Sequence, residues 1–162
     1  MASSAKLRNL GRSVCDFVSR TTSFEPYFAD NQSTLDDLIQ NVFAALDRCA
    51  GFIAIMHHRG EVATPEGIKI RGSIWIEQEL AIAAFLQNIV GKQIQVRLYV
   101  ERGIIREGLR DKLILNPVVF DADKEVIEDL AQVLPSWDAS DLRFLLILVT
   151  RTERVAPATT SS

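Results

Sequence analysis

Helix and strand signals alternate along this chain. The alternation predicts an α/β fold, a flavodoxin-like doubly wound parallel sheet with helices on both faces. Three observations carry the prediction. Phe52 to Met56 is a continuous apolar run, the pattern of a central parallel strand buried on both faces. Amphipathic helical stretches lie before it and further along the chain. The stretch from Ser73 to Leu86, rich in Ile, Leu and Ala with no Gly or Pro, reads as one helix.

Each element follows in chain order. Leu7, Leu10, Val14, Phe17 and Val18 fall at helical spacing, with Lys6, Arg8, Arg12 and Asp16 between them, so residues 5–20 form an amphipathic helix despite Gly11. Phe24 to Phe28 is short and aromatic, and Pro26 makes it an edge strand. Asp30 to Ser33 is a loop, and Thr34 to Arg48 is a second amphipathic helix. After the Phe52–Met56 strand come His57 and His58, then a loop carrying Gly60, Pro65, Gly67 and Gly72. Ser73 caps the central helix, and Gly91 closes its region. Gln93 to Val100 is a strand, and residues 101–112 are a loop and short helix. Leu113 to Phe120 is a strand interrupted at Asn116-Pro117. Asp121 to Leu134 is a helix opened by acidic residues and stopped by Pro135. Arg143 to Thr150 contains a last apolar strand. The unusual feature is the start, because a doubly wound sheet normally opens with a strand and this chain opens with a helix.

Composition narrows the function classes. The chain has 162 residues, 48 % hydrophobic and 24 % charged, as in an ordinary globular protein. A net charge of −3 with scattered Lys and Arg gives no reason to expect a nucleic-acid partner. No apolar run reaches the roughly 18 residues that span a bilayer. The first ten residues lack the apolar core of a secretory signal, so the expected setting is cytoplasmic. Cys15 and Cys49 both sit in apolar helical patterns and read as buried thiols rather than a disulfide. Ala156 to Ser162 is a tail of small polar residues expected to be disordered.

One residue in the central helix stands out. With Trp75 at zero on a helical wheel, Ile82 and Leu86 fall within roughly 20° and Ala83 within about 80°. Glu79 lands at about 40°, inside the apolar stripe, whereas Glu77 at about 200° faces away. A carboxylate among apolar groups is costly unless it is paired, protonated or used. Glu79 either pairs with an arginine such as Arg71 or Arg106, reaches water at the stripe's edge, or does acid–base or electrostatic work. His57 and His58 invite a metal reading, but adjacent residues of an extended chain point to opposite sides and no further Cys or His completes a site. No metal is expected. Asp30, His57, His58 and the first turn of the central helix all belong to the carboxyl edge of the sheet, where such folds bind ligands. The glycine-containing loops match neither a P-loop nor a Rossmann fingerprint.

Ser73-Ile74-Trp75-Ile76-Glu77-Gln78-Glu79-Leu80 resembles the Ser-x-Trp-x-x-x-Glu-Leu segment of the TIR (Toll/interleukin receptor) domain. The preceding helix and apolar strand, Ala45 to Met56, resemble the segment before it in that family. Asp30 matches a commonly acidic position. The resemblance covers roughly residues 5–135. It implies cleavage of the nicotinamide–ribose bond of NAD, which is then the substrate with no further cofactor, in a signalling, innate-immunity or phage-defence effector. In that alignment Glu79 is the catalytic glutamate, Trp75 flanks the pocket, and Ser73 is a cap, a substrate contact or both. Family members act as assemblies, so a homo-oligomer is expected. The family's opening strand has no counterpart at the start of this chain, which suggests a TIR-like domain over residues 1–135 truncated at its first strand. Residues 136–152 are then an extra strand, filling the vacated sheet position, or the start of a further domain, followed by a tail over 153–162. Two other readings stay open. One is a non-catalytic TIR-like scaffold working by self-association. The other is a nucleoside deoxyribosyltransferase-like N-glycosidase, which also carries a Glu on a helix of a flavodoxin-like sheet.

Overall fold

The computed structural model describes residues 4–28, 35–72, 74–105, 117–137 and 143–149. In chain order these form α1 (Ser4–Thr21), β1 (Glu25–Phe28), α2 (Leu35–Arg48) and β2 (Cys49–Met56). They continue with β3 (Gly60–Thr64), β4 (Gly67–Arg71), α3 (Ile74–Asn88), β5 (Gln95–Glu101), β6 (Val118–Phe120) and α4 (Asp123–Val133), then a 3-10 turn (Leu134–Trp137) and β7 (Phe144–Val149).

Five strands make one sheet in the order β1-β7-β2-β5-β6, and every pairing in it is parallel. Counting β1, β2, β5, β6 and β7 as first to fifth in the chain, the spatial order is 1-5-2-3-4. A flavodoxin-like sheet runs 2-1-3-4-5. The two orders superimpose when the last strand here takes the interior slot that the first strand takes there. β7 therefore lies between β1 and β2, pairing Tyr27 with Leu146 on one side and Phe52 with Leu146 on the other.

The helices divide between the two faces for a geometric reason. Moving from β1 through β2 to β5 the chain steps one way across the sheet, and from β6 to β7 it steps back. A right-handed crossover in the reverse direction must use the opposite face. The core is split accordingly. On one face Leu10, Val14 and Val18 of α1 and Val126 and Leu130 of α4 pack against Ile53, Ile55, Leu145 and Ile147. On the other, Leu46 of α2 and Ile76, Leu80 and Ala83 of α3 pack against Phe52, Ala54, Leu146 and Leu148. Cys49 shares a face with Phe52, three residues away, because the ladder to β7 shifts register between Cys49 and Gly51.

One stretch differs from the sequence expectation. The segment between His58 and Gly72 was expected as a loop and is an antiparallel hairpin of β3 and β4, pairing Val62 with Lys69 and Ala63 with Ile68. Its turn uses Gly67 at φ +121, a backbone region open to glycine. The strands are short and mostly exposed, so no continuous apolar side advertises them. The hairpin touches the body through Ile70, which bridges to Ile104 and accepts from the Ile105 N–H at 3.1 Å. Gly72 follows, packed 3.2 Å (measured to a built Cβ) from the Met56 sulfur. The start of α3 is thereby held beside the end of β2.

Candidate functional site at the carboxyl edge of the sheet

α3 descends from this edge along the sheet. Its buried stripe is Ile76, Leu80, Ala83 and Ala84, spaced three and four residues apart, with Ile82 and Leu86 half-buried beside it. The stripe is centred on Leu80 and Ala83 rather than on Ile82 and Leu86 as the wheel suggested. Glu79 remains within it and is only 7 % exposed. Five residues after the helix begins, it lies about 7.5 Å along the axis at 1.5 Å per residue. Glu77, expected to face solvent, is half-buried.

The ends of β2, β5 and β6 are cross-tied by polar groups. His57 is 1 % exposed, and its Nε2 donates to the Asp123 carboxylate on the first turn of α4 at 3.3 Å. Its ring meets Phe120 edge-on, with centroids 5.3 Å apart. His58 turns the other way, as adjacent residues in an extended chain must. Its backbone N–H donates to Glu101 Oε2 at 2.7 Å, and its Nε2 donates to the Arg102 carbonyl at 2.6 Å. Because a carbonyl only accepts, His58 carries its proton on Nε2. Arg102 in turn grips Asp121 through Nε at 2.8 Å and a second guanidinium nitrogen at 3.0 Å. That pair lowers the Asp121 pKa below its ordinary value. The Asp121 N–H donates to Glu125 Oε2 at 3.0 Å, which supports the acidic start of α4.

Of the residues singled out from the sequence, Glu79 and His57 are both buried, one on α3 and one at the end of β2. Trp75 belongs to the first turn of α3. Ser73 and Asp30 lie outside the described residues. Among the described residues no group of three or more His, Cys, Asp or Glu could hold a metal ion. The two histidines are instead spent on opposite neighbours. Sequence reasoning missed Asp123, Glu101 and the Arg102–Asp121 pair. The acidic run Asp121 to Glu125 was legible as a helix start, but only the sheet order brings it to His57, 66 residues away. The Cys15 and Cys49 thiols are free, and burial pushes each up to about 11, so both stay protonated and inert. No helix among the described residues is long and apolar enough to cross a membrane. No family model, curated protein or solved structure matches the chain.

Proposed function

We propose that this chain is a TIR-like domain that cleaves the nicotinamide–ribose N-glycosidic bond of NAD, with Glu79 as the catalytic carboxylate. The observation that carries the reading is Glu79 itself, a carboxylate held on the buried stripe of α3 where packing alone asks for an apolar residue. Nicotinamide leaves as a neutral base, so the reaction needs little acid help. The ribose develops oxocarbenium character, and a carboxylate beside it stabilises that charge most effectively where water is scarce. The reading puts the substrate at the carboxyl edge, where the start of α3 lies beside the end of β2, whereas the His57–Asp123 tie belongs to the α4 side of the sheet. In the same reading Trp75 flanks the pocket, and Ser73 and Asp30 serve as substrate contacts. Activity as a homo-oligomer and a role as a defence effector belong to the same reading.

A scaffold reading is favoured by a different observation. Phe85 in the last turn of α3 and Ile89 and Val90 just after it are 54 %, 72 % and 60 % exposed, an apolar group suited to self-association.

The test is nicotinamide release from NAD by the full chain at high concentration, beside Glu79→Gln. Loss of at least about 100-fold in rate in the variant, the scale of removing one transition-state charge contact, with unchanged circular dichroism, supports the assignment. Equal turnover by both proteins removes Glu79 from the chemistry. Exchange of bases between nucleosides, without NAD loss, moves the chain to the deoxyribosyltransferase-like reading. No turnover of either kind, with sedimentation showing an assembly that Ile89→Ser breaks, establishes the scaffold.

A further inference from the structure

At the opposite end of the strands from His57, the α2/α3 face contains a cleft of about 180 Å³. Its origin is legible in the residues. Two helices about 10 Å across cover roughly four strands spaced about 4.8 Å apart, leaving one edge of a five-stranded face thinly covered. On this face α2 packs over β7 and β2. Beside Leu46, which packs on the sheet, the half-buried Ala45 and the exposed Ala44 line the cleft, where larger side chains would fill it. The floor is aromatic. Phe144 at the start of β7 and Tyr27 on β1, whose register partner is Leu146, share this face and are each 37 % exposed. The ends are polar. Arg48, in the last turn of α2, holds its guanidinium 5.1 Å from the Phe144 ring centroid. Asn41, seven residues earlier on the same side of the helix, lines the other end about 10.5 Å away at 1.5 Å per residue.

We propose that this cleft binds a small planar aromatic molecule bearing a carboxylate. A flat ring fits beside the alanines, stacking on Tyr27 and meeting Phe144, whose face Arg48 covers, edge-on. A guanidinium seated on a ring face keeps its N–H edges directed outward, and that fork matches a carboxylate in bidentate fashion. Asn41 makes the end of the cleft away from Arg48 polar, beside the far end of the ring. Cys49 lines the cleft, but its protonated thiol, bonded to the Leu46 carbonyl at 3.4 Å, takes no covalent part. The site is independent of Glu79 and of the NAD reading.

The experiment is a titration of the isotopically labelled full chain with 4-hydroxybenzoate, followed by amide and side-chain chemical shifts. 4-Hydroxybenzamide serves as the uncharged match and acetate as the charge without the ring. Saturable shifts at Tyr27, Ala44, Arg48 and Phe144 are expected, with both controls at least tenfold weaker. Arg48→Gln, an exposed position, weakens binding at least tenfold, and Ala44→Leu abolishes it at an unchanged melting temperature. Absence of saturable shifts, equal binding of the benzamide, or full binding by Arg48→Gln overturns the proposal.

Discussion

The two faces of the sheet are built from the same kinds of elements and differ in how their carboxylates are held. On the α1/α4 face a cleft of about 380 Å³ lies between the helices, lined by Phe17, Thr22, Leu130 and Pro135, while the backbone glycines are closed to added atoms. The Gly11 backbone lies against the Phe28 ring, and a Cβ built there would sit 2.2 Å from the ring. Gly51 is likewise enclosed by Leu145 and Trp137. A carboxylate on this face is held in a network: Asp129 of α4 accepts two hydrogen bonds from Arg97, at 2.9 and 2.7 Å, and one from the Tyr99 hydroxyl at 2.7 Å. The α2/α3 face keeps a carboxylate on its inner stripe and a cleft beside paired alanines. Each face leaves a cleft, and the faces differ in where their carboxylates sit: on one, Asp129 in a network with Arg97 and Tyr99; on the other, Glu79 on the inner stripe of α3. Natural sheets pack both faces to near-crystalline density unless something else is served.

Substitutions on both faces test this comparison. Gly51→Val has the largest expected effect, about 3 kcal/mol of lost stability in denaturant melts, because its Cβ would lie 2.7 Å from Leu145 and 2.9 Å from Trp137. Wild-type stability in that variant would refute the tight packing around Gly51.

Asp129→Asn comes next, costing about 2 kcal/mol at neutral pH by weakening a charge-assisted pair. Burial pushes the Asp129 carboxyl up, but hydrogen bonds from Arg97 and Tyr99 outweigh it, and the pKa falls below 3.8. A lowered native pKa stabilises the fold at pH values above the unfolded one, and the gain is lost as pH falls through the native value. The wild-type advantage over Asp129→Asn should therefore shrink in melts below about pH 4. A pH-independent gap would assign the loss to packing alone.

Gly11→Ala follows. On an open helix the change gains about 1 kcal/mol. Here the Phe28 ring must leave its seat, and a net loss of about 1 kcal/mol is expected. Phe28→Leu should cancel it in a double-mutant cycle; additive effects would show that the ring moves freely. The smallest effect belongs to the other face, where Ala44→Leu should stay within about 0.5 kcal/mol of wild type.

Much of the architecture was legible from pattern. The run Phe52 to Met56, the helical spacing of Leu10, Val14 and Val18, and Pro26 as the mark of an edge strand each name a local state through local physics. Glu79 was legible as an anomaly because helical periodicity alone puts it in an apolar stripe. Gly11 looked like a weak point in a helix and is a seat for a ring contributed by β1. The β3–β4 hairpin went unseen because exposed two-stranded ribbons need little hydrophobic signal.

By itself the sequence determined the order and type of the main elements, the burial of the Cys49 thiol and the position of a carboxylate on an inner helix stripe. These follow from side-chain periodicity and backbone propensity, which act over a few residues. The tertiary structure alone decided that β7 enters the sheet between β1 and β2, that His57 meets Asp123, and that Tyr27, Arg48 and Phe144 share one cleft. Those arrangements join residues far apart in the chain. They depend on the order and hand of the crossovers, which no local pattern encodes.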